Sequence, residues 1–268
     1  MTTLALIAGA GGLPAALVAA LPTRPLVAAL DGFAPDGLTP DQSFRVERLM
    51  PFLRGLQDSG ITRVVFAGAV QRPRLDPALF DAQNAQMVPR LAAAMQAGDD
   101  ATLREVIAIF EDEGFAIVGV QDIAPDLVPG PGILCGTPSD ADARDTTRAA
   151  AIVAALGAVD VGQGAVVAQG LCLAVESLPG TDAMLAWVAQ TARRPNPAGA
   201  KGVFYKAPKP GQDRRIDLPA LGVHTVTLAA AAGLAGIAWQ AGGVILLNPT
   251  EMRAMAEQHG LFLWSRAE

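Results

Sequence analysis

Residues 4–8 (Leu-Ala-Leu-Ile-Ala) form an unbroken apolar run, residues 9–14 read Gly-Ala-Gly-Gly-Leu-Pro, and 15–21 are apolar with helical character. That order is strand, glycine loop, helix. A second apolar run, 26–30, closes on Asp31-Gly32, and 45–59 predicts a helix ended by Gly60. Residues 63–69 predict another strand, 102–113 an amphipathic helix stopped by Gly114, and 115–120 a further strand. Strands alternating with helices predict a parallel, doubly wound, Rossmann-like sheet.

The pattern changes after a stretch dense in Pro and Gly, 124–139. This stretch is the best linker candidate, with the linker itself set at 131–140, so the expected domains are 1–130 and 141–268. In the second, 141–156 predicts a helix, and 164–168 with 171–176 a hairpin turning at Gln169-Gly170. Helices are expected at 181–192, 223–233 and 251–259, and a strand at 202–205. A second hairpin, 236–241 with 244–247, is expected to turn at Gly242-Gly243. The whole reads as α/β: a Rossmann-like N-terminal domain, a mixed C-terminal α/β domain, and an active site in the cleft between them.

Composition narrows the function classes. Half of the residues are hydrophobic and 17% are charged, which describes a globular chain. A net charge of −6 argues against a generic nucleic-acid binder, because no basic surplus exists to neutralise phosphates. Residues 1–22 and 218–250 hold no Asp, Glu, Lys or Arg, but glycines, prolines and Gln240 interrupt them, so neither predicts a membrane span. Cys135 and Cys172 make neither a disulfide framework nor a zinc site. The only histidines, His224 and His259, cannot build a two-metal His/Asp cluster, so any metal is held by oxygen ligands, which favours magnesium.

Candidate chemistry falls in three places. Gly11 and Gly12 follow the first strand, where backbone N–H groups can approach a phosphate. The spacing Gly9-x-Gly11-Gly12 lacks the third glycine of the dinucleotide fingerprint, so a simple tight turn is the competing reading. Asp31 ends the second strand and could contact a ribose, and Arg72, following a strand and preceding Pro73, offers a planar fork for phosphate. The densest polar stretch is 206–219, with Lys206, Lys209, Gln212, Asp213, Arg214, Arg215 and Asp217 among three prolines and Gly211. Its stiffness aims the charges, the cations toward diphosphate oxygens and the carboxylates toward a cation or water; a solvated charged loop is the plainer alternative. Thr181 and Asp182 open a helix and serve either as its cap or as ligands. Glu176, Asp160 and Gln163 are weaker candidates at strand ends and turns.

Together these segments resemble the UDP-2,3-diacylglucosamine diphosphatases of the LpxI type, from lipid A biosynthesis. The resemblance rests on residues 6–14 (Leu-Ile-Ala-Gly-Ala-Gly-Gly-Leu-Pro), 66–73 (Phe-Ala-Gly-Ala-Val-Gln-Arg-Pro), 98–104, 159–164 (Val-Asp-Val-Gly-Gln-Gly), 180–185 (Gly-Thr-Asp-Ala-Met-Leu) and 206–219, in that order along the chain. It implies a two-domain, magnesium-dependent, cytoplasmic hydrolase that releases UMP and 2,3-diacylglucosamine 1-phosphate. The family's catalytic aspartate maps onto Asp217, with Asp182 and Asp213 as acidic companions and Asp217 and Asp182 as metal ligands. Gly11, Gly12, Arg72, Gln163, Thr181, Lys206, Lys209, Gln212 and Arg214 are then expected to hold substrate. Where the family often has Glu-Gly-Thr-Asp, this chain has Pro179-Gly180-Thr181-Asp182, so a carboxylate at 179 is not essential here unless Glu176 replaces it. The lipid-linked substrate implies contact with the inner face of the inner membrane, and a homodimer is compatible with the sequence. Two rivals remain at this stage: a nucleotide-sugar-binding regulatory module without turnover, and a dinucleotide-dependent oxidoreductase.

Overall fold

The structure is a computed structural model that describes residues 3–70, 76–80, 84 and 87–267. The chain divides into two compact units, Met1–Pro125 and Asp126–Glu268.

The first unit contains β1 (Leu4–Ala8), α1 (Leu13–Ala20), β2 (Leu26–Leu30), β3 (Gln42–Phe44), α2 (Leu49–Asp58), β4 (Arg63–Ala67), α3 (Val88–Ala97), α4 (Asp99–Asp112), β5 (Ala116–Ile117) and the single turn α5 (Val120–Ile123). Its five strands are all parallel, in the order β3-β2-β1-β4-β5. That is the doubly wound order expected of a Rossmann-like sheet. Every residue of β1 is buried, as a central strand covered on both faces requires. The predicted strands at 63–69 and 115–120 are shorter than expected. The first ends at Ala67 because Gly68 takes a positive φ of 99°, which breaks the extended run.

The second unit contains β6 (Gly132–Cys135), α6 (Asp140–Ala158), β7 (Gly164–Ala168), β8 (Leu171–Val175), α7 (Gly180–Thr191), β9 (Val203–Lys206), β10 (Ala220–Leu221), α8 (Val223–Ala231), β11 (Gly236–Gln240), β12 (Ile245–Leu246), α9 (Pro249–His259) and β13 (Phe262–Arg266). A six-stranded sheet runs β6-β13-β11-β9-β7-β8. Its centre, β13-β11-β9, is parallel, and β6 and the β7-β8 hairpin are antiparallel to it. α6 packs one face through Ala149 and Val153 against Val167, Val203, Tyr205 and Phe262. α7, α8 and α9 cover the other through Leu185, Val226 and Met252, against Phe204, Ile237 and Trp239. The Ser139–Asp142 capping box starts α6: the Asp142 amide donates to Ser139 Oγ at 3.2 Å and the Ser139 amide donates to Asp142 Oδ2 at 2.9 Å.

Two expectations change. Residues 131–140 are not a bare linker, because they include β6, which pairs with β13. A Cβ on Gly136 would lie 2.7 Å from Phe262 Cα, so glycine here permits close strand approach rather than flexibility. The second hairpin does not form either. Both edges of β11 are taken by β9 and β13, so β12 pairs in parallel with β10 instead. Among the described residues no helix is long and apolar enough to cross a membrane.

Candidate active site

β9 delivers the site. All four of its residues are buried, and alternation along the strand sends Val203 and Tyr205 toward α6 and Phe204 toward the opposite layer. Lys206, the next residue on the side of Phe204, is only 5% exposed. Its Nζ lies 3.3 and 3.4 Å from the two Glu176 carboxylate oxygens and donates to Thr181 Oγ1 in the first turn of α7. A buried ammonium with a carboxylate and a hydroxyl around it is compensated. Lys206, Glu176 and Thr181 thus form one cluster, and Lys206 braces the end of β9 and the start of α7.

The chain then leaves the sheet as the expected stiff loop. The Ala207 amide donates to Gln163 O at 3.0 Å, tying the loop to the entry of β7. A Cβ on Gly243 would lie 2.9 Å from Pro208 Cδ, and one on Gly157 would lie 2.7 Å from Pro210 Cδ, so two prolines rest directly on glycine backbone. Lys209 Nζ pairs with Asp160 Oδ1 at 2.5 Å. Asp213 accepts from the Arg215 amide at 2.9 Å and from its guanidinium at 2.7 and 3.0 Å, so it braces the loop locally. Asp217 accepts a hydrogen bond from Gln212 Nε2. Gln212 Oε1 in turn accepts from Gln163 Nε2 at 2.8 Å and from the Lys209 amide at 2.9 Å.

On the α6 side the loop walls a cavity of about 410 Å³. Tyr205, Gln212, Arg214, Gln240 and Arg266 line it, over an apolar floor that includes Val153. Gln240 and Arg266 are the last residues of β11 and β13, as Lys206 is of β9. The carboxyl ends of parallel strands are where open α/β sheets bind ligands. Among the described residues lining the cavity, Lys209, Arg214 and Arg266 are cations and none is a carboxylate, which suits an anion. The sequence pattern does not single out Gln240 and Arg266, because it predicts no strand at 262–266 and makes 236–241 half of a hairpin. The signal they offered was a polar residue ending a largely apolar strand.

The other expected residues are dispersed. Asp182 is exposed in the first turn of α7, and its Oδ2 faces His224 Nε2 at 3.6 Å. Among the described residues no three His, Cys, Asp or Glu side chains converge on a point that could hold a metal. Magnesium, however, is commonly held by one or two carboxylates together with substrate phosphates, and a single oriented carboxylate such as Asp217 suits that mode. Burial pushes the Cys135 and Cys172 thiols up, so neither is poised as a nucleophile at neutral pH.

In the first unit, Gly9 and Gly68 are there for close packing: a Cβ on Gly9 would lie 2.6 Å from Ala69 O. The Gly9 amide donates to Ala67 O and the Ala10 amide to Ala69 O, both at 2.8 Å. Gly11, at φ 91°, and Gly12, the N-cap of α1, complete the turn. Asp31 Oδ2 faces Arg45 Nη1 at 3.8 Å on the surface. Arg72 lies outside the described residues.

Comparison with known proteins now bears on both units. Residues 3–127 match the LpxI N-terminal domain and residues 130–264 the LpxI C-terminal domain. The UDP-2,3-diacylglucosamine pyrophosphatase LpxI of Caulobacter vibrioides is 38% identical over 271 residues, which span 98% of this chain and 97% of that protein. With both domains matched in order and a relative aligned end to end, the chain belongs to the LpxI family.

Proposed function

We propose that this protein hydrolyses the diphosphate of UDP-2,3-diacylglucosamine, releasing UMP and 2,3-diacylglucosamine 1-phosphate for lipid A biosynthesis. The observation that carries the reading is the 38% identity, over nearly the whole of both chains, to a pyrophosphatase acting on that substrate. Asp217, held by Gln212 from the wall of the cation-lined cavity, supports it. Asp217 is the catalytic carboxylate: it orients the water that attacks phosphorus and accepts its proton. Arg214 and Arg266 neutralise the oxygens on which charge develops. Lys206, engaged by Glu176 and Thr181, acts by fixing β9 and α7 rather than by holding phosphate. Magnesium, held by Asp217 together with the diphosphate, supplies Lewis-acid screening when bound. Asp182, exposed beside His224, is a second ligand only if the substrate draws it in.

The substrate is lipid-linked, so the enzyme works at the inner face of the inner membrane as a peripheral protein. Exposed Val159, Val161, Val175 and Leu178, which flank Asp160 and Glu176 in the chain, support apolar contact at this end of the unit. The test is incubation of the purified protein with UDP-2,3-diacylglucosamine, with and without magnesium, with products identified by mass. UMP and the sugar 1-phosphate are expected, and Asp217→Ala should reduce turnover at least about a thousandfold with unchanged circular dichroism. Tight substrate binding with no UMP from the native protein would establish a binding module instead.

A further inference from the structure

We propose that Gln212 is a positioning residue for Asp217 and that Gln163 locks it in that role, rather than either amide contacting substrate. The inference rests on Asp217 being the catalytic carboxylate. It is motivated by a chain of three hydrogen bonds that joins two distant segments at the cavity wall.

An amide side chain has one acceptor oxygen and one donor nitrogen, and which end is which must follow from its partners. Here they leave no choice. The Lys209 backbone N–H can only donate, so the end of Gln212 that it meets at 2.9 Å is the oxygen. An ionised Asp217 can only accept, so the end that meets it is the nitrogen. Gln163 Nε2 adds a second donor to the same oxygen at 2.8 Å, fixing the amide plane from the far side. Both acceptor directions of Gln212 Oε1 are therefore filled, and its NH2 group is aimed at Asp217 Oδ2. Among the described residues no other hydrogen bond reaches the Asp217 side chain, which is half-buried.

The loop does not need this relay for its shape. Two proline–glycine contacts, the Asp213–Arg215 pair and the Lys209–Asp160 pair already brace it. Gln163 is itself anchored, because its carbonyl accepts from the Ala207 amide at 3.0 Å at the root of the loop. Gln212 also lines the cavity, so the residue that holds Asp217 is itself part of the cavity wall. A half-buried amide pair 49 residues apart in sequence, aimed at one carboxylate oxygen, restricts that carboxylate's rotation before substrate arrives.

Steady-state kinetics of the full chain on UDP-2,3-diacylglucosamine, from about pH 5 to 9, tests this. Gln212→Ala should lower kcat roughly ten- to a hundredfold while KM stays within about twofold, and Gln163→Ala should lower kcat by a smaller factor. Gln212→Glu removes the donor and places a second carboxylate against Asp217, so kcat should fall at least as far as in Gln212→Ala. In an Asp217→Asn background, adding Gln212→Ala should cost nothing further, because the two act as a unit. A loss confined to KM would return Gln212 to substrate contact and overturn the proposal. So would a Gln212→Glu variant with native kcat. Should Gln212→Ala fail to fold, the isosteric Gln212→Glu and the remote Gln163→Ala still decide the matter. An Asp217→Asn enzyme with native kcat would instead refute the catalytic assignment of Asp217, an outcome distinct from a silent Gln212.

Discussion

Two loops in this protein leave parallel strands at their carboxyl ends, and they are made of opposite materials. The loop after β1 is glycine and backbone: the amides of Gly9 and Ala10 are bonded to Ala67 and Ala69, and a side chain at Gly9 would collide with Ala69. The loop after β9 is side chains: Lys209, Asp213 and Asp217 are each held by a named partner, and Arg214 points into a cavity. Position at the end of a parallel strand therefore does not by itself orient charged groups. What distinguishes the second loop is charged groups that are individually oriented, whereas the first closes β1 onto β4. That contrast can be broken by substitution on either side.

The largest structural effect is expected at Lys206. Lys206→Met leaves the Glu176 carboxylate, 12% exposed, without its cation, and breaking such a buried pair costs about 3–5 kcal/mol. All three tryptophans, Trp187, Trp239 and Trp264, belong to the second unit, so their fluorescence during denaturant unfolding reads this loss directly. Lys206→Met with Glu176→Gln should recover a substantial part of it, because no charge is then left unpaired. Full stability in the single variant would mean that Glu176 finds water and that the cluster is not a brace.

Gly9→Val comes next and belongs to the other loop. The added side chain meets Ala69 O, Gly68 C and Ala69 C within 2.9 Å, all backbone that cannot swing away. Overpacking of this kind costs about 1–3 kcal/mol. Circular dichroism should register the loss more strongly than tryptophan fluorescence, since the first unit contains no tryptophan. An unchanged transition would show that β1 and β4 can separate freely beyond Ala8.

How much of this was legible in the sequence follows the same division. Apolar runs at β1, β2 and β4 and the glycine loop between β1 and α1 could be read because local composition alone determines them. The β7-β8 hairpin could be read because Gln169 and Gly170 both take the positive φ its turn requires, 55° and 76°. Pairing partners could not. Val244–Leu247 has the composition of a hairpin return strand, yet β11 had already been claimed on both sides by strands that arrive from elsewhere in the chain. The polar loop was visible as a charge-dense, proline-rich stretch, but its internal order was not. Nothing in the sequence pairs Gln163 with Gln212, which folding brings to 2.8 Å, and nothing in it shows that Arg215 closes on Asp213, the expected acidic companion of Asp217.

The smallest effect, and the sharpest comparison between the loops, lies at Gly11. Its φ of 91° is a conformation L residues avoid, yet a Cβ there would meet nothing within 4 Å, so Gly11→Ala incurs backbone strain alone. Such strain amounts to roughly 1 kcal/mol, which thermal denaturation resolves. Because the Gly9 and Ala10 amides just before this turn are bonded to Ala67 and Ala69, kcat and KM for the UDP-lipid should both stay within about twofold of native. A KM raised tenfold or more at unchanged stability would reverse the comparison. The N-terminus of α1 would then be holding a phosphate through its backbone, and the first loop would join the site instead of only closing the sheet.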